Sequence, residues 1–371
     1  MTTINFISNL PRDLRSGGFS AMNAAAFDAL ECHADVHFNP ISLPVDRPRQ
    51  LLSRVLREVG LRGHFEFFSH ARLSRTAAEA AAALERPADL NFFHGFTPWI
   101  ATRPLGPYAA WSDCTFRDYI GIYHPLGHFC RSDLDRIEAA EAVWLRSASG
   151  VAFTSKWAAD RAISHYGLDP LRVAVVGIFG ETELPQVDGF AGGAGFAFIS
   201  TDFAAKGGPV VLEAFRQVRA DHPEATLTIV GDSPKRIEQP GVQRTGFMRK
   251  ECTEDNERFR AILARSRAVV HPTSSDVAPL LAVEAAYFGC PVIASNRFAI
   301  PEIVDHGRTG LLVEDPTNCG QVAEAMIQML QDETAYCAMR RAAWDKARRD
   351  HLKVHFENRL WAFVEQAMPR P

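Results

Sequence analysis

At 371 residues the chain is longer than one hydrophobic core usually supports, so two domains are expected. Its 47% hydrophobic and 23% charged residues describe an ordinary globular protein, and a net charge of -4 argues against a dedicated nucleic-acid binder. Seven cysteines, at 32, 114, 130, 252, 290, 319 and 337, include no C-x-x-C pair, so neither a disulfide framework nor a zinc site is indicated.

The chain opens Met-Thr-Thr-Ile-Asn-Phe, without the basic start and apolar core of a signal peptide, and nowhere runs to ~18 consecutive apolar residues. A cytoplasmic location with reduced thiols is therefore expected. Ile4–Ser8 reads as a strand. Arg15-Ser16-Gly17-Gly18 then opens a helix over Ala21–Glu31, and Gly17 and Gly18 would let the backbone approach a ligand. A helix over Gln50–Val59 lies in an unusually basic stretch: between positions 47 and 75 there are seven arginines against two glutamates. Leu51, Leu52, Val55, Leu56 and Val59 recur at helical spacing beside those arginines. Two readings stand: an ordinary helix burying this stripe in the core, or a basic amphipathic helix lying on the inner face of an anionic membrane.

A helix over Thr76–Leu84 precedes the strand Leu90–Phe93, whose end brings His94 towards the expected cleft. The strand Tyr108–Trp111 leads to Asp113. His124 and His128 have helical metal spacing, but Pro125 and Gly127 argue against a continuous helix there. Asp133-Leu134-Asp135 matches a metal-binding D-x-D, yet it opens the helix Leu134–Arg146, where acids favour the dipole. No protein-bound metal is expected. The strand Val151–Thr154, the helix Trp157–Tyr166 and the strand Val173–Val176 close this half.

Glu181 to Gly195 holds Pro185, Gly189, Gly192 and Gly193 without helical period, and reads as a linker. Strands follow near 196–200, 225–230, 268–271 and 291–294, and about 320–368 is helical. This alternation is that of an α/β protein with two doubly wound, Rossmann-like domains and ligand at the carboxyl ends of the strands. The expected domains are 1–180, a linker at 181–195, a second domain at 196–350, and a C-terminal helix at 351–371 packing back on the first.

The densest chemical signal lies at 276–294. Asp276 and Glu284 stand eight residues apart across a loop-to-helix junction, with Pro279 and Leu280 in the expected first turn. Side chains lean towards a helix N-terminus, so Glu284 would point at the mouth that Asp276 borders. Free amides and the helix dipole there would hold an anion while the carboxylates accept hydroxyl hydrogen bonds. A nucleotide-sugar offers both groups.

Residues 267–316 resemble the donor half of the retaining glycosyltransferases of family 4, which have the GT-B fold of two Rossmann-like domains facing a cleft. The resemblance rests on His271-Pro272-Thr273-Ser274, the Asp276/Glu284 pair, Gly289-Cys290-Pro291-Val292, Pro301-Glu302-Ile303-Val304 and Gly307-Arg308-Thr309-Gly310. A second block, Phe198 to Phe203 followed by Lys206-Gly207-Gly208, agrees. The resemblance implies that Glu284 accepts from the nucleotide ribose, Asp276 touches the donor sugar, and Lys206 neutralises the leaving diphosphate. It places Phe247 and Met248 beside the base, and Asp113 near the donor sugar. Three departures stand out. Relatives often carry an arginine where Thr201 or Ala205 stands, for which Arg249 and Lys250 are candidate substitutes. They carry a histidine where Ser112 stands and paired glycines where Phe298-Ala299 stand.

The implied activity is retaining, metal-independent transfer of a hexose-type sugar to a glycan, glycolipid or small-molecule hydroxyl. The nucleotide-sugar is a substrate, no cofactor is needed, and no nucleic acid is a partner. The rival readings are a GT-B epimerase or phosphorylase, and a nucleotide-sugar-binding module that has lost transfer.

Overall fold

The structure, a computed structural model, describes residues 2–13, 18–43 and 45–369. It divides into two compact units, Met1–Gly177 with Phe356–Pro371, and Ile178–His355.

In the first unit the strands are β1 (Thr3–Ser8), β2 (Asp35–Pro40), β3 (Leu90–His94), β4 (Tyr108–Ser112), β5 (Gly150–Phe153) and β6 (Val173–Val175). They pair in parallel in the order β2-β1-β3-β4-β5-β6. The helices are α1 (Phe19–Glu31), α2 (Arg47–Glu58), α3 (His70–Leu84), α4 (Phe116–Tyr123), α5 (Arg131–Ser147) and α6 (Lys156–Tyr166). Central strands such as β3 are buried along their whole length, which is why apolar side chains dominate them. Phe93, Trp99, Tyr108, Trp144, Phe153 and Tyr166 are the large aromatic side chains of its main buried cluster.

In the second unit β7 (Gly195–Ser200), β8 (Thr226–Gly231), β9 (Val242–Gly246), β10 (Ala268–His271), β11 (Val292–Ser295) and β12 (Gly310–Val313) form a parallel sheet in the order β12-β11-β10-β7-β8-β9. Its helices are α7 (Gly208–Asp221), α8 (Thr253–Arg265), α9 (Leu280–Tyr287), α10 (Ile300–Ile303), α11 (Cys319–Gln331) and α12 (Glu333–Asp350). The last helix, α13 (Lys353–Ala367), belongs to the first unit from Phe356 onward. There Phe356 lies 5.7 Å from Trp111 and Trp361 stacks 4.6 Å from His33.

The structure departs from several expectations. The stretch read as a linker belongs to the second unit, where Asp188 receives the Arg340 guanidinium at 2.5 Å and the Glu181 amide bonds to Glu284. Glycines without periodicity mark an irregular backbone, not an unattached one. Strands β2, β9 and β12 were not anticipated. β2 and β9 are edge strands with partly exposed, polar sequences, DVHFNP and VQRTG, that lack the apolar run of a central strand, and β12 is a short edge strand of four residues. The helix expected from Leu134 starts earlier, after Cys130, so Asp133 lies within α5, and its Oδ2 accepts from the Phe65 amide at 2.8 Å. In agreement with the argument from Pro125 and Gly127, His124 and His128 do not share one helix, since α4 ends at Tyr123 and a separate turn spans Leu126–His128. Among the described residues, no helix is long and apolar enough to cross a membrane.

Candidate functional site

In the second unit the sheet order reverses between β7 and β10, and ligands of open parallel sheets bind outside the strand ends at such a switch point. Lys206 lies in the loop after β7 and Asp276 in the loop after β10, so the two flank it. The glycines after Lys206 make this possible. Gly207 has φ +88°, and a Cβ there would sit 2.6 Å from the Pro272 carbonyl oxygen. Only glycine lets the two loops meet so closely.

Lys206 Nζ consequently donates to Asp276 Oδ2 at 2.9 Å and to the Ser275 carbonyl at 2.6 Å. His271 Nε2 lies 3.4 Å from the same carboxylate oxygen, and its Nδ1 is buried without a partner among the described residues. Burial would raise the Asp276 pKa, but His271 and Lys206 outweigh it and hold the carboxyl below its ordinary range. An ammonium has three donors. Two are used here, which leaves one N–H for a ligand, and Oδ1 of Asp276 takes part in none of these bonds. The pair is part-buried, with about a fifth of each side chain exposed.

Helix α9 begins at Leu280, so Pro279 is the residue before the helix, in extended backbone, and not in its first turn. Among the described residues no side chain caps this end. Glu284 sits in the second turn, only 2% exposed. Its Oε1 accepts from Lys250 Nζ at 2.6 Å, the Glu181 amide at 3.1 Å and the Thr182 hydroxyl at 3.1 Å. All three bonds fall on one oxygen, so Oε2 is left for another donor. Lys250 also reaches Glu181 at 3.3 Å. Burial would lower the Lys250 pKa, but the two carboxylates outweigh it and hold the ammonium above the ordinary lysine value. Lys250 thus serves Glu284. Phe247 is 65% exposed while Met248 is buried, and Arg249 is exposed with its amide on Asp255.

Neither Glu181 nor Thr182 was identified from sequence. They lie about a hundred residues from Glu284 in a stretch without pattern, so no local signal could have found them.

In the first unit Gly17 lies outside the described residues. Gly18 precedes α1 with φ +62°, a conformation that favours glycine. Asp113 follows β4 and accepts from the Ser112 hydroxyl at 3.3 Å; burial outweighs its hydrogen bonds and pushes its pKa up. His94 requires a correction. It is 1% exposed, sandwiched between Phe19 and Trp111 at 4.4 and 5.0 Å, and among the described residues neither ring nitrogen has a partner. It is a buried aromatic spacer, because the chain after Gly18 folds Phe19 over it.

Burial depresses the His94 pKa to about 3 from an ordinary 6.5. Between these values the unfolded chain binds the extra proton, so stability falls as pH falls through this window and is unaffected above it. His94→Phe, which keeps the stack, should flatten the pH dependence by up to about 1.4 kcal/mol per pH unit between roughly pH 6 and 4. Urea midpoints at several pH values would show it; parallel curves for the two proteins would contradict the neutral, buried assignment.

Among the described residues no three His, Cys, Asp or Glu side chains converge as metal ligands would.

Residues 195–332 match the family described as Glycosyl transferases group 1. The match covers less than half of the chain, and Lys206, Lys250, Asp276 and Glu284 all lie inside the matched segment. The chain is 32% identical over 166 residues to glycogen synthase of Mycobacterium tuberculosis, covering 44% of this chain and 38% of that one. It is 29% identical over 262 residues to D-inositol 3-phosphate glycosyltransferase of Jonesia denitrificans, covering 62% and 61%. The matches thus span less than two thirds of either relative. The crystal structure of Anabaena HepE in complex with UDP and glucose superposes with a TM-score of 0.66 at 17% identity, over 98% of this chain and all of that one. The fold is GT-B.

Proposed function

We propose that this protein is a retaining glycosyltransferase of family 4 that moves a sugar from a nucleoside diphosphate to an acceptor hydroxyl in glycan or glycolipid assembly. The observation that carries this reading is the meeting of Lys206 and Asp276 at the switch point, with Glu284 held one helical turn beyond. In this reading Oε2 of Glu284 accepts from a ribose hydroxyl and Oδ1 of Asp276 from a sugar hydroxyl. The remaining N–H of Lys206 donates to the diphosphate. As the anomeric C–O bond to that diphosphate breaks, negative charge grows on its oxygen, and a preorganised ammonium there lowers the barrier. The acceptor oxygen bonds to the same face of the sugar, and its proton passes to the departing phosphate oxygen, so no protein nucleophile is required.

A nucleotide thermal-shift panel of UDP, GDP, ADP, CMP and dTDP tests donor binding. A ligand at 100 times its Kd adds about 2.7 kcal/mol to stability. UDP, bound by the HepE structure, is the expected hit. The matching UDP-sugar should then yield free UDP and a glycosylated acceptor. A shift with UDP but no product from any UDP-sugar and acceptor would favour a binding module over an enzyme, and no shift with any nucleotide would remove the donor-site reading.

A further inference from the structure

Helix α2 is turned the wrong way round for a core helix. On the 3.6-residue period Leu51, Leu52, Val55 and Val59 form one stripe, while Ser53, the buried residue of the helix, faces the opposite side. The stripe is open to solvent: Leu51 is 61% exposed, Leu52 57%, Val55 45% and Val59 65%. An ordinary amphipathic helix buries its apolar face, and this one presents it. Leu61, just past the helix, and Leu126, in the turn that hydrogen-bonds to Gly63, are exposed as well.

The charge beside this stripe has one sign. Among the described residues no carboxylate pairs with the guanidinium groups of Arg47, Arg54 or Arg62, whereas Arg49 is held by Asp46 at 3.4 Å. Glu58 is the one acid of the helix. The whole chain is net negative, so a local excess of unpaired arginines is not a reflection of composition. The helix is anchored from beneath, with the Ser53 hydroxyl on the His64 carbonyl at 2.7 Å and the Arg57 guanidinium 5.1 Å from the Phe129 ring. It is therefore presented as a fixed ridge.

We propose that α2 docks this protein onto a bilayer leaflet carrying anionic lipid headgroups, with the Leu51/Leu52/Val55/Val59 stripe entering the acyl boundary and Arg47, Arg54 and Arg62 meeting the phosphates. A convex apolar ridge flanked by unpaired cations complements a deformable anionic surface. The proposal stands independently of the sugar chemistry, since it uses none of the donor-site residues.

Vesicle flotation decides it, with the full chain on phosphatidylcholine alone and on phosphatidylcholine containing phosphatidylglycerol. Binding is expected only to the anionic vesicles, and weaker at high salt. Replacing Arg47, Arg54 and Arg62 together by Gln should lower partitioning on the order of a hundredfold, at roughly fivefold per charge. L51Q/L52Q/V55Q should lower it more than tenfold while thermal stability changes little, because about half of each of these residues is already in water. Equal binding to neutral vesicles, or full binding by the stripe variant, would overturn the proposal. So would a concentration-dependent dimer that the stripe variant abolishes, with no lipid binding by the wild type: the ridge would then be an interface between two copies of this chain.

Discussion

Glu284→Ala should abolish sugar transfer and loosen the fold around α9. Read from the sequence, this residue is a ligand group whose loss leaves the fold intact. The structure gives it a second task, because its Oε1 ties down Lys250 and the start of the 181–194 stretch. Removing one partner of a buried ion pair strands the other, at a cost of about 3–5 kcal/mol in full burial. Lys250 keeps Glu181 and is itself a quarter exposed, so the lower end, about 3 kcal/mol or less, is expected here. On the donor side, loss of a charged acceptor for ribose hydroxyls costs on the order of 1.5–3 kcal/mol, roughly tenfold to a hundredfold in nucleotide-sugar affinity. The two effects separate with Glu284→Gln, which retains an acceptor for the 181 and 182 donors but loses the charge. Calorimetric titration on that folded variant is the deciding measurement: unchanged affinity for the nucleotide-sugar would end the ribose assignment.

Lys206→Ala should lower turnover by about 10²–10³ while leaving nucleoside monophosphate affinity nearly unchanged, because the lost ammonium faces charge that develops on the leaving diphosphate. The structure adds a reason for the size of the effect. Lys206 also holds the Asp276 carboxylate in place, and without it His271, at 3.4 Å, is the one side-chain partner left to that group among the described residues. Sugar contact and leaving-group stabilisation would fail together. The assay is run with EDTA present, so that no adventitious cation replaces the ammonium. Wild-type turnover under those conditions would show that the diphosphate is neutralised elsewhere, and Arg249, exposed on the loop after β9, is the next residue to replace.

Local rules carried much of this. The buried strands β1, β3, β4 and β10 were legible from the large apolar side chains concentrated in them, because both faces of these strands are covered. Lys206-Gly207-Gly208 was legible as a tight turn, since φ near +88° leaves glycine as the natural choice. Edge strands β2 and β9 were not, because water takes one side and the apolar signal disappears. The stretch 181–194 was misread for the opposite reason: a polar, Gly-containing segment can be held by hydrogen bonds and ion pairs that leave no periodicity behind.

By itself, then, the sequence determined the α/β class, the order of the elements and the residue types gathered at the ends of β7 and β10. These follow from side-chain period and backbone sterics, which act over a few residues. The tertiary structure alone decided which groups meet. Lys206 and Asp276 are 70 residues apart and touch because the sheet places β7 beside β10 and Gly207 lets their loops close. Glu284 is enclosed by residues 181, 182 and 250 for the same kind of reason. His94 became a core group because Phe19 covers it, and the stripe of α2 faces water because Ser53 faces inward. Periodicity says that a helix has an apolar side; only packing against the rest of the chain says which way that side is turned.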